Sequence, residues 1–271
     1  MIVTVPGSGG IVHIPPTGEP PPLPFATTSS GDHHWAWRLL ACGVATTGTT
    51  RTPHGRWDAR GAVGPAGGDL TVGVTAGGVR AAGHVGIRGS NPAAAAIVAY
   101  LHGRPGAAGF DRIVVHESRC RQFDDGGLPL KSFDGGVGLC QLTHPPCTAH
   151  AAWDWRANLD AGLALFAAKR RLAERHLGQA GRPFTAAQAV REAVCLWNGG
   201  FYHVWDGGEW ARPATLLCDP AAGNIGWDTT DPTNRGRSAA DLHARDAATY
   251  ARGHGAHWRY SGVCYADHLL G

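Results

Sequence analysis

The sequence predicts an α+β protein, with a small β-sandwich-like N-terminal module followed by a mainly α-helical domain. Three observations carry this expectation. Between residues 31 and 89, short alternating runs are separated by paired glycines, the pattern of strands joined by tight turns. After residue 150, apolar residues recur at helical spacing, with Leu159, Leu163 and Phe166 on one stripe. The chain of 271 residues is long for one core and comfortable for two domains.

Taken in order, residues 1–30 are rich in Pro, Gly, Thr and Ser around Pro20-Pro21-Pro22. They read as an extended arm in which only residues 2–5 and 11–14 are strand-like. In the β-rich module, residues 31–89, His34-Trp35-Ala36-Trp37-Arg38-Leu39 alternates large side chains, and residues 69–74 and 83–87 alternate polar with apolar. Gly67-Gly68 and Gly77-Gly78 punctuate these runs as turns. Composition favours Trp35 and Trp37 as filling for the module's core over stacking on sugar rings.

Residues 90–271 form the second domain. Asn91 suits an N-cap and Pro92 a first helical position, so a helix is expected through Leu101 and a stop at Gly103. Phe110, Ile113, Val114 and Glu117 lie at i, i+3, i+4 and i+7, one helical face, although the Ile-Val-Val run by propensity prefers a strand. A Gly/Asp-rich loop covers residues 124–138, and Pro145-Pro146 excludes a helix there. Residues 154–177 read as a long helix. Thr185 and Gln188 form a capping box for the next, which stops at Asn198-Gly199-Gly200. The irregular C-terminal extension holds one more expected helix, residues 241–250, and Cys218 and Cys264 are candidates to staple it.

The formal net charge of +3 is too weak for a nucleic-acid signature. No apolar run has the length of a membrane span. The first ten residues lack the basic start and apolar core of a secretory leader, so the expectation is synthesis in the cytoplasm without a signal peptide. Seven cysteines leave at least one unpaired, and no Cys-x-x-Cys occurs, so a zinc ribbon or thioredoxin-like site has no support.

Three pieces follow one another along the second domain: Glu117-Ser118 after an apolar run, Gly138-Leu139-Cys140-Gln141, and Leu196-Trp197-Asn198-Gly199-Gly200. In this order they resemble the lysozyme-like superfamily, in particular the soluble lytic transglycosylases and goose-type lysozymes. The pattern there is Glu-Ser, Gly-Leu-Met-Gln and Ala-Tyr-Asn-Ala-Gly. Cys140 stands in place of Met and Leu196-Trp197 in place of Ala-Tyr. The resemblance covers residues 111–201. It implies that the stretch from Phe110 to Glu117 is helical, a lysozyme-like α-helical domain, and cleavage of the β-1,4 bond between N-acetylmuramic acid and N-acetylglucosamine in peptidoglycan.

That chemistry needs a proton on the departing oxygen, which a carboxylic acid supplies near neutral pH only where burial raises its pKa. Glu117, on the face of Ile113 and Val114, is the candidate general acid. A hydrolase adds a second carboxylate about 6.5–9.5 Å away, for which the loop offers Asp124, Asp125 and Asp134; the catalytic candidates are Glu117, Asp125 and Asp134. A transglycosylase needs none, because the same glutamate takes a proton from the substrate's own hydroxyl. The resemblance makes Gln141 a ligand for an N-acetyl group, Ser118 an orienting neighbour of Glu117, and Trp197 and Asn198 substrate contacts. Trp197 lacks the phenolic hydroxyl of the usual Tyr, and core packing is an equal reading of it. Asn198 with Gly199 reads equally as a helix cap.

No metal and no cofactor is required. His116-Glu117 is not followed by the second histidine of a zinc protease, since position 120 is Cys. A cysteine amidase using Cys140 or Cys147 with His116, His144 or His150 is one rival. A non-enzymatic wall-binding or spike module with an inactive lysozyme-like domain is another. The expected partners are peptidoglycan glycan strands, a secretion-machine spike and a cognate immunity protein, with no nucleic acid and no membrane. An antibacterial effector delivered by a type VI-like machine, or a phage lysis protein, fits a wall enzyme without a leader, by analogy alone.

Overall fold

A computed structural model describes residues 1–253 and 255–271. The protein is a mixed α+β chain with several sheets and a helical region. It divides into two compact units, residues 1–101 with 117–162, and residues 102–116 with 163–271.

The first unit is built on two sheets. Strands Val3–Thr4 (β1), Ile11–Ile14 (β2), Pro24–Thr27 (β3), His33–Ala41 (β4), Val44–Thr52 (β5) and Arg56–Asp58 (β6) are followed by the single-turn helix Arg60–Val63 (α1), then Gly68–Ala76 (β7) and Val79–Gly89 (β8). One sheet has the order β2-β8-β7-β4-β5, with β2 and β8 parallel and the other pairs antiparallel; the second is β1-β3-β6. Strands β1 and β2 fall where residues 2–5 and 11–14 read as strand-like, and the expected extended arm is corrected at residues 24–27, which add a third strand. The reason is apolar content hidden among the prolines, because Ile14, Leu23 and Phe25 are buried in the unit's core.

Alternation sets the faces. Trp35 and Leu39 of β4 and Leu70, Val72 and Val74 of β7 point inward, while Ala36, Arg38 and Thr71 point out. Each buried Val, Leu, Ile or Phe contributes about 1.5–3 kcal/mol. Trp35 is fully buried, lies tilted against Trp57 with ring centroids 5.8 Å apart, and donates its indole N–H to Thr52. Trp37 is half-buried. Gly77-Gly78 forms the two-residue turn between β7 and β8, whereas Gly68 opens β7 instead of turning. The β4–β5 hairpin turns through Cys42-Gly43, both with positive φ (50° and 86°), the backbone that right-twisted hairpins favour.

The later segment of this unit, residues 117–162, shares the same core, since Phe123, Ala152 and Trp153 pack with the sheet residues. Helix Ala94–His102 (α2) follows β8, and Ala149–Trp153 (α4) and the first turns of Trp155–Leu177 (α5) lie along residues 117–162. Asn91 is not the N-cap of α2, which begins at Ala94. Its side-chain oxygen instead accepts from the Gln122 and Phe123 amides at 2.8 and 2.9 Å, and its amide donates to the Phe123 carbonyl. A short polar side chain satisfies distant backbone as well as it caps a helix, and here the distant backbone prevails.

Phe110–Ser118 (α3), whose residues 110–116 belong to the second unit, is helical, so the 3.6-residue spacing overrides the strand propensity of Ile-Val-Val. Phe110, Ile113 and Val114 are buried, and the Phe110 ring lies 5.3 Å from that of Phe166 on α5. The capping box predicted at Thr185 and Gln188 is present and opens Ala186–Asn198 (α6). The extension carries the hairpin Val204–Asp206 (β9) with Glu209–Ala211 (β10). It continues with a sheet of Leu216–Cys218 (β11), Ile225–Asp228 (β12) and Arg259–Tyr260 (β13), and with helices Ala239–Tyr250 (α7) and Gly262–Leu270 (α8). Gly262 is obligatory: a Cβ there would meet the Gly199 and Cys195 carbonyl oxygens at 2.1 and 2.4 Å, so α8 approaches α6 at backbone distance.

Cys218 and Cys264 form a disulfide across 46 residues of sequence. Closing a loop of that length in the unfolded chain is worth about 4 kcal/mol in the chain-entropy account. The double variant C218A/C264A is expected to lose about 2–4 kcal/mol of unfolding free energy in denaturant titration; an unchanged midpoint would remove the staple from the stability account.

Two buried carboxylates, Asp219 and Asp246, complete this unit. Burial opposes ionisation of Asp246, but bonds from Arg245 at 2.6 Å and the Trp227 indole at 2.9 Å outweigh it and leave its pKa below the ordinary carboxylate value. Asp219 is likewise lowered: burial resists, and His243, the Ala221 amide and Tyr250 prevail. A folded-state pKa below the unfolded one contributes stability that is full above the unfolded value, about 3.9, and is lost as pH falls through the folded value. Thermal unfolding of wild type should therefore drop on acidification below about pH 4, with a shallower drop in D246N. Parallel slopes would refute the assignment.

Candidate active site

The candidate residues Glu117, Ser118, Gln141, Asp125 and Asp134 all fall in the first unit; Trp197 and Asn198 fall in the second. Glu117 and Ser118 close α3, with Glu117 half-buried and Ser118 buried. The helix stops abruptly because the next two residues, Arg119 and Cys120, take left-handed φ values of 53° and 60°. Gln141 is also left-handed, at φ 47°. Among the described residues only five non-glycines have positive φ, and these three either follow Glu117 or are the candidate glutamine itself. Left-handed backbone costs a non-glycine residue roughly 1–2 kcal/mol, and such outliers cluster at functional sites, where surrounding structure over-determines them.

That surrounding structure is two fully buried amides. Gln122 accepts from the Leu139 amide at 3.0 Å and donates to the Ala151 and Ala152 carbonyls at 3.1 and 2.8 Å. Asn158 accepts from the Cys140 amide at 2.9 Å and donates to the Val137 and Ala151 carbonyls at 3.1 and 3.2 Å. Together they bolt the Gly138–Leu139–Cys140–Gln141 turn to the chain at α4 and α5. Gly138 is required beneath them: its φ is 75°, and a Cβ would lie 2.5 Å from the Asn158 amide nitrogen. Gln141, half-buried, donates to the Gly138 carbonyl at 2.7 Å.

Glu117 lies within electrostatic reach of this turn. The Cys140 thiol is fully buried, and burial, then the Cys147 and Glu117 charges, hold its pKa well above normal. Cys140 thus behaves as a small apolar residue, not as a thiolate nucleophile. Cys147 is pushed up to about 11, by burial first, and no imidazole lowers it. His150 pairs instead with Asp154 at 3.5 Å.

The loop carboxylates have ordinary structural partners. Asp124 accepts from the Gly126 and Leu128 amides, both at 2.9 Å. Asp125 is fully solvated and meets Arg121 at 2.6 Å. Asp134 is exposed, and its hydrogen bond from Ser132 lowers its pKa. In the second unit, the half-buried Trp197 sets its ring edge-on to Phe110 at 5.5 Å, and Asn198 is exposed at the end of α6, where Gly199 carries the turn.

Sequence reasoning missed Gln122 and Asn158, and also Glu192, fully buried on α6. Glu192 accepts from the Tyr202 and His203 amides and meets the His203 ring at 2.6 Å, fixing the segment after the helix. An isolated Gln, Asn or Glu within an apolar stripe is the only signal these residues give. Among the described residues no group of three or more His, Cys, Asp or Glu could hold a metal ion, and no helix is long and apolar enough to cross a membrane. No protein-family model, no curated protein and no solved structure matches the chain.

Proposed function

We propose that this chain is a peptidoglycan-degrading glycosidase that cleaves the N-acetylmuramic acid to N-acetylglucosamine bond, with Glu117 as general acid. The finer fold reading goes with it: a β-sandwich-like module joined to a lysozyme-like α-helical domain. The observation that carries the proposal is the clamped turn. A half-sheltered carboxylate sits within electrostatic reach of a strained Gly-Leu-Cys-Gln turn that two buried amides hold in place. Rigid placement of a donor and a substrate-gripping amide is what positional catalysis requires.

In this reading Glu117 protonates the departing glycosidic oxygen, and the Gln141 amide grips the N-acetyl group. Buried Ser118 orients the acid. Asp125 is solvated and tied to Arg121, and Asp134 is weakened as a base by its Ser132 bond. Both facts favour the route in which ionised Glu117 takes the proton from the sugar's own 6-hydroxyl, leaving an anhydro end. The rival amidase has no activated thiol to work with. The test is dye release from labelled, purified peptidoglycan by the full chain. Release above a buffer control is expected, and no release at micromolar protein would leave the wall-binding module as the better reading.

A further inference from the structure

Within the first unit, a cavity of about 580 Å³ opens between the β4–β5 hairpin and the chain that follows Gln141. Its walls are mostly apolar, with Trp37, Leu39 and Val44 on the sheet side and Val137, Leu142 and Trp153 opposite. Five cysteines carry free thiols. Cys120, Cys140 and Cys195 are buried, Cys42 is exposed and Cys147 is half-buried. The two thiols that solvent can reach are thus the two that line this cavity, one from each wall.

We propose that Cys42 and Cys147 are a redox pair whose disulfide clasps the hairpin tip to the segment beyond Gln141 and closes the mouth of the apolar cavity. Three observations support the pairing. Cys42 sits at the hairpin tip in left-handed backbone, where Asn, Asp or Gly is the usual choice. Burial first, against the Asn158 bond, and then the Cys42 charge raise the pKa of Cys147, so the two thiols lie within electrostatic reach across the cavity they both line. The chain also holds the Cys218–Cys264 disulfide, and conditions that keep that bond oxidised also supply an oxidant for a second one.

The oxidant is a low-molecular-weight disulfide. The Cys42 thiolate attacks one of its sulfurs, forming a mixed disulfide and releasing one small thiol. Cys147 then loses its proton to solvent and attacks the Cys42 sulfur, expelling the second small thiol. Two protein thiols are oxidised to one disulfide as one small disulfide is reduced to two thiols. Buried Cys140 is excluded as the partner because it does not line the cavity that Cys42 and Cys147 share. The proposal does not depend on the glycosidase reading.

The full chain would be equilibrated with oxidised glutathione, quenched with an alkylating agent in denaturant, digested with trypsin and mapped by mass spectrometry without reduction. The expected result is a loss of two alkylatable thiols and a cross-link between peptides 39–51 and 132–156. Fragmentation of the second peptide should place the bond on Cys147 and not Cys140. In C42S and C147S that cross-link should vanish while Cys218–Cys264 persists. Five alkylated thiols, a glutathione adduct that stays on Cys42, or a Cys140–Cys147 bond would each overturn the proposal.

Discussion

Glu117→Gln is expected to lower peptidoglycan cleavage by about 10²- to 10⁴-fold, the usual contribution of a positioned acid or base. That is about 2.7–5.5 kcal/mol of transition-state stabilisation. Glutamine keeps the size and hydrogen-bonding reach of the side chain and removes only the transferable proton. The apolar face of α3 is carried by Phe110, Ile113 and Val114, so the variant should unfold within about 1 kcal/mol of wild type. The combination separates chemistry from folding. Loss of both activity and stability would make Glu117 a structural residue, and retention of both would remove it from the reaction.

The second large effect belongs to a residue that touches no substrate. Asn158→Leu keeps roughly the same volume but removes the partner of the Cys140 amide and one of the donors to the Val137 and Ala151 carbonyls. Val137 also receives the Leu142 amide and Ala151 receives Gln122, so the full cost falls on the Cys140 amide. At about 1–3 kcal/mol per unsatisfied buried group, destabilisation of about 1–3 kcal/mol is expected in urea unfolding. Activity should fall further than the folded fraction does, because the left-handed Gln141 loses the support that offsets its strain. A change below about 1 kcal/mol would show that the turn holds itself together without the amide clamp.

Much of the scaffold was legible because its signals are local. The Thr185 capping box, the helix stop at Asn198-Gly199-Gly200 and the α3 spacing each rest on residues within two turns of one another. Cys218 and Cys264 emerged as a staple because they flank an irregular tail. What escaped notice depends on partners far apart in sequence. Strand β5 is mostly Thr and Gly with almost no apolar alternation, and it exists because β4 offers it a ladder. The arm's third strand, β3, needed Leu23 and Phe25 to be weighed against the core of the unit. Asn91 looked like a cap because its true acceptors and donors lie more than thirty residues on. The candidate site shows the same division. Glu117 and Gln141 stood out by motif, whereas Gln122 and Asn158, which hold the turn, look like ordinary polar residues until the turn is folded against them.

The most direct test of the glycosidase assignment is mass spectrometry of the fragments released from purified peptidoglycan sacculi by the wild-type chain and by E117Q. The account predicts disaccharide-peptides ending in anhydro-N-acetylmuramic acid from wild type, and none from E117Q. Peptides freed from intact glycan strands, or the same glycan fragments from both proteins, would contradict it.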